Sequence, residues 1–319
     1  MKAIQFSAYG GPEKASLVEC EPPIPTERQL LIEVEAISIN PIDWKLYGGG
    51  LRWIKPMRFP STPCFDFAGV VKTVGSGVET YKAGERVFGM LPMNGFGAAA
   101  ESIAVDSDLV SRMPEGLSFA DAAGIPLAGM TALQALRDQG KLQANQRLLV
   151  IGAAGGVGHY AIQIGKALKA HVTGVCSTRN IDRVRELGAD EVLDYTDPGF
   201  TPPAEAFDLI FDAVANKALT YWQPALKSQA TYVSTLPSPA LILDTMVRTL
   251  LMSRQRVKLV MVKPRRKDLD YLAGLAHQGQ LKTLIDQVYP LSEFGAALEK
   301  SKQGRAQGKI IVAIKADHS

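Results

Sequence analysis

Residues 148–168 constrain the fold more than any other stretch. Leu148-Leu149-Val150-Ile151 is a short apolar run, Gly152-Ala153-Ala154-Gly155-Gly156-Val157-Gly158 follows at once, and Ile162, Ile164 and Leu168 continue with helical spacing. This order predicts a strand, a tight turn and a helix. Glycines let the backbone approach a ligand closely, and the helix start offers free amides and the positive end of its dipole. The uncharged run from Leu148 to Gly165 reaches membrane-spanning length, but its five glycines and His159 make a poor lipid helix. His159, in the first helical turn, reads as a packing residue.

From about Phe119 onward, helical and apolar strand patterns alternate, which predicts a parallel sheet covered on both faces. The strand candidates are Leu148–Ile151, His171–Val175, Glu191–Leu193, Leu209–Phe211 and Thr231–Val233; the helix candidates are Gly158–Lys169 and Ile181–Leu187. Asn180 and Gly188 fit as the N-cap and C-cap of the second helix. Before residue 120 the texture differs. Short β-rich runs at Leu30–Ile37, Phe67–Val74 and Arg86–Gly89 are separated by turn clusters, so an irregular, mostly β domain is expected. The alternation resumes after residue 254, and Lys309–Ile314 is the last strand candidate.

A length of 319 residues supports two domains, and 46% hydrophobic with 21% charged residues is ordinary for a folded soluble protein. A net charge of +3 is too small for a nucleic-acid footprint. A basic run without acids from Arg248 to Lys267 reads as a solvated face, with an anionic partner as the alternative. Cys20, Cys64 and Cys176 are far apart and form no CxxC pair, which argues against a disulfide framework and for a reducing, cytoplasmic setting. The opening MKAIQFSAYG reads as strand, so no secretory signal is expected.

A strand, glycine turn and helix in this order are the setting for a dinucleotide, with Ala154, Gly155, Gly156 and Val157 around the pyrophosphate. About 20 residues further on, where a carboxylate would bind the ribose hydroxyls of NAD, the chain reads Val175-Cys176-Ser177-Thr178-Arg179-Asn180 and carries no acid before Asp182. Arg179 can pair with a 2′-phosphate, and Ser177 or Thr178 can donate neutral bonds, so NADPH (NADP) is the expected coenzyme. The alternative for Arg179 is a solvated residue beside a helix start.

The motifs Asn40-Pro41-Ile42-Asp43-Trp44-Lys45, Phe65-Asp66-Phe67-Ala68-Gly69-Val70-Val71, Pro126 to Ala132, Leu187-Gly188-Ala189-Asp190, Asp194-Tyr195 and Gly308-Lys309, with the glycine loop, span nearly the whole chain. Together they resemble the medium-chain dehydrogenase/reductase superfamily, in its zinc-free quinone oxidoreductase branch. The resemblance implies an α/β fold: a Rossmann doubly wound parallel sheet domain at 123–287, plus a GroES-like, mostly β catalytic domain at 1–122 completed by 288–319. Zinc-dependent relatives carry Cys, a hydroxyl residue and His where this chain has Asn40, Ile42 and Phe65, so no metal is expected. The short-chain dehydrogenase alternative needs Lys four residues after a Tyr, and no tyrosine here has one.

The resemblance implies hydride transfer from NADPH to an α,β-unsaturated carbonyl or a quinone, with a non-catalytic NADPH-binding sensor or scaffold as the rival reading. It places Asn40, Asp43 and Lys45 in the catalytic cleft, Lys45 being the candidate for polarising the carbonyl or helping with protonation, with a surface lysine as the alternative. It places Thr131, Ser177, Arg179, Tyr195, Val214, Ser234, Leu236, Arg305 and Lys309 around the coenzyme. Ala215-Asn216 replaces paired glycines common in the family. The aromatic and methionine residues of loops Tyr47–Arg58 and Met90–Phe96 suit an apolar substrate, with core packing as the equal alternative. The family often dimerises, and the edge of strand Thr231–Val233 offers a surface for it.

Overall fold

The computed structural model describes residues 1–53, 55–93, 95, 97–236 and 254–315. Phe96 and the start of the basic run at Arg248 lie outside the described residues. The chain divides into two units, residues 1–127 with 263–319 and residues 128–262.

The first unit opens with an antiparallel pair, β1 (Lys2–Phe6) and β2 (Ala15–Glu19), followed by the long β3 (Gln29–Ile39). Helix α1 (Pro41–Tyr47) leaves directly from the end of β3. β4 (Asp66–Val74), β5 (Arg86–Met90), β6 (Ser102–Asp106) and β7 (Val110–Arg112) come next, then α2 (Phe119–Gly124). Along β3, Leu30, Ile32 and Val34 are buried while Leu31, Glu33 and Glu35 are half-buried. This is the period-2 pattern of a strand with one face in the core. From Ala36 to Ile39 every residue is buried, because the strand is there covered on both faces.

The chain reaches the second unit through α3 (Pro126–Leu133). Its strands are β8 (Arg147–Ile151), β9 (His171–Cys176), β10 (Glu191–Asp194), β11 (Phe207–Asp212), β12 (Leu226–Ser234) and β13 (Arg256–Leu259), with helices α4 (Gly158–Ala167), α5 (Ile181–Glu186) and α6 (Leu219–Trp222). All strands pair in parallel in the order β10-β9-β8-β11-β12-β13. That is the doubly wound arrangement, whose order reverses between β8 and β11, where ligands bind at the strand ends. The uncharged run Leu148–Gly165 is therefore strand, turn and helix. Among the described residues, no helix is long and apolar enough to cross a membrane.

The expectation for Thr231–Val233 needs correction. This strand is not a sheet edge, since β13 pairs with it from Thr231↔Arg256 to Ser234↔Leu259. The Asn180 side chain also does not cap α5; it donates to Ser177 Oγ at 3.1 Å.

The final segment, α7 (Arg266–His277), β14 (Ile285–Pro290), α8 (Phe294–Lys302) and β15 (Lys309–Ala313), belongs to the first unit. Residues 263–287, expected in the Rossmann domain, thus lie with the first unit. Long-range polar contacts account for the difference: Ser111 Oγ donates to Asp270 Oδ1 at 2.6 Å, Thr283 Oγ1 donates to the Asp121 carbonyl at 2.8 Å, and the Arg266 guanidinium lies 5.1 Å from the Tyr81 ring centroid. β15 pairs antiparallel with β3, placing Ile311 opposite Ser38, within a seven-stranded sheet of order β14-β15-β3-β4-β5-β7 whose seventh strand, β6, pairs with β3 off this path.

Ile311 is fully buried at the centre of this pairing. Ile311→Ala is expected to lower stability by about 2–5 kcal/mol, the usual cost of such a cavity, measured as a reduced denaturant midpoint.

Candidate functional site

Three strand ends converge in the first unit. Register pairs Ser38 with Asp66 across β3 and β4 and Ile310 with Ile39 across β15 and β3, which brings Lys309 beside Asn40. Ser38, Asn40, Asp43, Asp66 and Lys309 are all buried. The Lys309 ammonium donates to Asn40 Oδ1 at 2.7 Å and lies 3.8 Å from Asp66 Oδ2. Asp66 Oδ2 also accepts from Ser38 Oγ at 3.0 Å and Asn40 Nδ2 at 2.9 Å, while its Oδ1 accepts the Leu127 amide at 2.9 Å.

Helix α1 begins at this cluster because Asn40 is its N-cap and Pro41 fits its first position. Asp43 Oδ2, one turn in, takes the Asn40 amide at 2.7 Å, as an acidic residue at that position of a capping box does. Its other oxygen, Oδ1, is buried without a partner. Burial pushes the Asp43 carboxyl up to about 7, and the neighbouring Asp66 adds to the rise while the Asn40 amide and Lys309 oppose it. Burial likewise raises Asp66 and lowers Lys309 from their ordinary ranges. The Cys64 thiol, pushed well up by burial, Asp43 and Asp66, stays protonated.

Of the expected catalytic residues, Asn40 and Asp43 are thus spent on the cluster. Lys45 is half-buried on α1, its ammonium 5.3 Å from the Trp44 ring centroid, and burial lowers its pKa. Lys309, expected against the coenzyme, sits in the same cluster as Asn40. Arg305, also in the first unit, is exposed. Asp66 and Ser38 were missed as site residues. The available signal was an aspartate opening an otherwise apolar strand, since a buried carboxylate demands partners.

In the second unit the chain turns at Gly152, whose φ of +78° suits glycine, and a Cβ there would meet Val214 Cγ2 at 2.2 Å. A Cβ on Gly158 would lie 2.0 Å from the Gly152 carbonyl oxygen, so α4 can start this close only with glycine. Gly155, Gly156 and Val157 are partly exposed. Among the described residues, the amides of Gly156, Val157 and Gly158 donate to no acceptor. Ala154 is buried in the turn, and His159 is a packing residue whose Nδ1 is 2.9 Å from the Gly155 carbonyl oxygen and whose ring lies 3.8 Å from that of Tyr160.

The adjoining turn follows β11, whose Asp212 lies opposite Ile151. Asp212 Oδ1 accepts the amides of Val214 at 2.9 Å and Ala215 at 2.7 Å, and Oδ2 accepts the Tyr232 hydroxyl at 2.6 Å. Ala215 takes a φ of +54°, so alanine here occupies the left-handed region that paired glycines would enter freely. Ser234 is buried, with the Leu236 amide donating to its Oγ at 3.3 Å; Val214 and Leu236 are exposed. Thr131 lies buried on α3.

After β9, Arg179 is exposed in a short 3-10 turn and has no partner among the described residues. Ser177 is half-buried and Tyr195 is exposed. Thr178, expected as a neutral donor to the coenzyme, instead donates to Asp194 Oδ2. Along the chain no acid follows β9 before Asp182. The parallel pairing of β10 with β9, Asp194 opposite Cys176, supplies one from the neighbouring strand. Hydrogen bonds from Thr178 and Thr196 hold the Asp194 carboxyl below its usual range.

Two predictions follow from this geometry. The folded Asp43 keeps its proton through a range where the unfolded chain has lost it, so stability falls as pH rises from about 4 to about 7. Asp43→Asn preserves an acceptor for the Asn40 amide and should remove that fall, a few kcal/mol in all, as seen in denaturant midpoints across pH. Ala215→Gly should relieve about 1 kcal/mol of left-handed strain and raise the melting temperature by roughly 2–4 °C in a thermal scan.

Comparison with known proteins bears on both units. The alcohol dehydrogenase GroES-like domain family matches residues 26–115, and the zinc-binding dehydrogenase family matches residues 187–312. The chloroplast envelope quinone oxidoreductase homolog of Arabidopsis thaliana is 37% identical, with 98% of each chain covered. A trans-enoyl reductase of Aspergillus terreus is 33% identical, covering 98% of this chain and 96% of its own. The structure of Escherichia coli quinone oxidoreductase complexed with NADPH superposes with a TM-score of 0.85 at 26% identity, covering 98% of this chain and all of the other. The zinc implied by the second family's description does not fit the residues present. An amide held by a lysine ammonium at Asn40 and a buried phenyl ring at Phe65 do not make a tetrahedral nitrogen and sulfur ligand set. The fold, the glycine turn at the sheet's switch point and the full-length similarity agree: the chain belongs to the medium-chain dehydrogenase/reductase superfamily, alongside the quinone oxidoreductases, and is an oxidoreductase.

Proposed function

We propose that the protein is an NADPH-dependent reductase of α,β-unsaturated carbonyls or quinones that works without zinc. The observation that carries this reading is the chemistry of the groups left open in the second unit. The amides of Gly156, Val157 and Gly158 stand at the positive end of α4, and the Arg179 guanidinium is exposed and unpaired among the described residues. All are donors, and together they suit a pyrophosphate and a 2′-phosphate. The named activities of the quinone oxidoreductase and enoyl reductase relatives support the same reading.

Bound NADPH would supply a hydride. The glycine turn would hold the pyrophosphate, Arg179 and Tyr195 would take the adenosine phosphate, and Ser177 would donate its hydroxyl proton. When a carbonyl oxygen gains charge, a nearby donor stabilises it. Lys45 is the candidate for that work, its burial making the ammonium a readier proton source. Asn40 and Asp43 act by placing α1. The three cysteines, all free, suit a reducing cytoplasmic compartment, although the relatives' printed names include chloroplastic and mitochondrial proteins.

Following NADPH absorbance with a panel of enones, enals and quinones tests the proposal; steady oxidation by any of them supports it, and none across the panel overturns it. The ratio of enone to quinone turnover separates the two acceptor classes. Arg179→Ala should weaken NADPH binding about tenfold or more, the scale of a lost charge-assisted pair, and leave NADH binding nearly unchanged in a fluorescence titration. Equal losses for both would remove the phosphate assignment.

A further inference from the structure

We propose that Lys309 is a positioning residue that fixes the start of α1 through the Asn40 side chain and takes no part in holding the coenzyme. For catalysis this rests on the reading that Lys45 of α1 works on the substrate. The ammonium is enclosed, with the whole residue 3% exposed, and it is committed to Asn40 Oδ1 at 2.7 Å. Asn40 is the joint between β3 and α1. Lys309 holds one end of its side-chain amide, Asp66 holds the other at 2.9 Å, and Asp43 takes its backbone N–H at 2.7 Å. The amide can point only one way, and the backbone leaves the sheet in the direction this sets.

A seven-residue helix has no stability of its own in water, so its ends decide where it sits. At the far end, the Tyr47 hydroxyl donates to the Thr62 carbonyl at 2.9 Å and lies 3.0 Å from Ser61 Oγ. At the near end the cap passes through Asn40, whose backbone amide goes to Asp43 and whose side chain goes to Lys309 and Asp66. The titratable groups acting on Lys309 are Asp43, Asp66 and Cys64. The ammonium in turn favours ionisation of both carboxyls, so losing it would drive the titration of Asp43 upward.

The test compares the full-length wild type with Lys309→Met, Lys309→Arg and the double variant Asp66→Asn/Lys309→Met. In Lys309→Met, the NADPH dissociation constant should stay within about twofold. Amide exchange of residues 41–47 should rise about tenfold or more, kcat/KM for the best acceptor should fall about tenfold, and the pH at which activity changes should move up. Lys309→Arg should recover part of the exchange protection and of kcat/KM. A tenfold loss of NADPH affinity with unchanged exchange over 41–47 would return Lys309 to the coenzyme and sink the proposal. Should Lys309→Met fail to fold, the charge-neutral double variant decides by the same exchange measurement: faster exchange over 41–47 supports the proposal, and wild-type protection overturns it. If the wild type turns over no enone or quinone, the proposed reaction falls, while exchange and coenzyme titration still decide the role of Lys309.

Discussion

The buried ammonium of Lys309 between Asn40 and Asp66 is the contact on which the first unit depends. Taking a charge of this kind out of water costs several kcal/mol, and it is tolerable only where a close partner and further hydrogen bonds answer it. Here Asn40 answers at 2.7 Å and Asp66 at 3.8 Å, and Asp66 is itself satisfied by Ser38, Asn40 and Leu127. The apolar strands β3 and β15 do little to choose their own register, because Ile310, Ile311 and Val312 are near-equivalent in shape. A slip of one residue would turn every side chain to the other face and leave the ammonium against hydrocarbon. The polar cluster thus fixes how the last strand of the chain meets the third.

The same cluster carries a charge imbalance. One ammonium faces two carboxyls, and Asp66 is the better supported, with Ser38 and Asn40 donating to one oxygen and Leu127 to the other. Asp43 is therefore the group that keeps its proton toward neutral pH. A neutral carboxyl still accepts from the Asn40 amide, so the cap of α1 survives in both protonation states. What changes is the cost of enclosing the net charge, and that cost falls on the junction between sheet and helix.

Much of the second unit was legible in the sequence because its elements are local. The strand, glycine turn and helix at residues 148–168 lie in one continuous stretch, and the parallel strands recur between helices at short range. The first unit was harder to read. The Lys309, Asn40 and Asp66 cluster joins positions up to 269 residues apart, and no local period reports a register between distant strands. Asp194 was missed beside Thr178 for the same reason: its neighbour lies 16 residues earlier, across a parallel pair. The return of residues 263–287 to the first unit rests on single polar contacts such as Ser111 with Asp270, which composition cannot announce.

The two units also divide their polar groups differently. In the first, the buried groups of the strand-end cluster are largely spent on one another, which makes that cluster a scaffold. At the strand ends of the second, Asp212, His159, Ser234 and Thr178 are likewise engaged, yet among the described residues the amides of Gly156 to Gly158 and the Arg179 guanidinium remain open. Two carboxylates at these strand ends are engaged, Asp194 by Thr178 and Thr196, and Asp212 by Val214, Ala215 and Tyr232. Open donors beside satisfied acceptors make an anion the fitting ligand there.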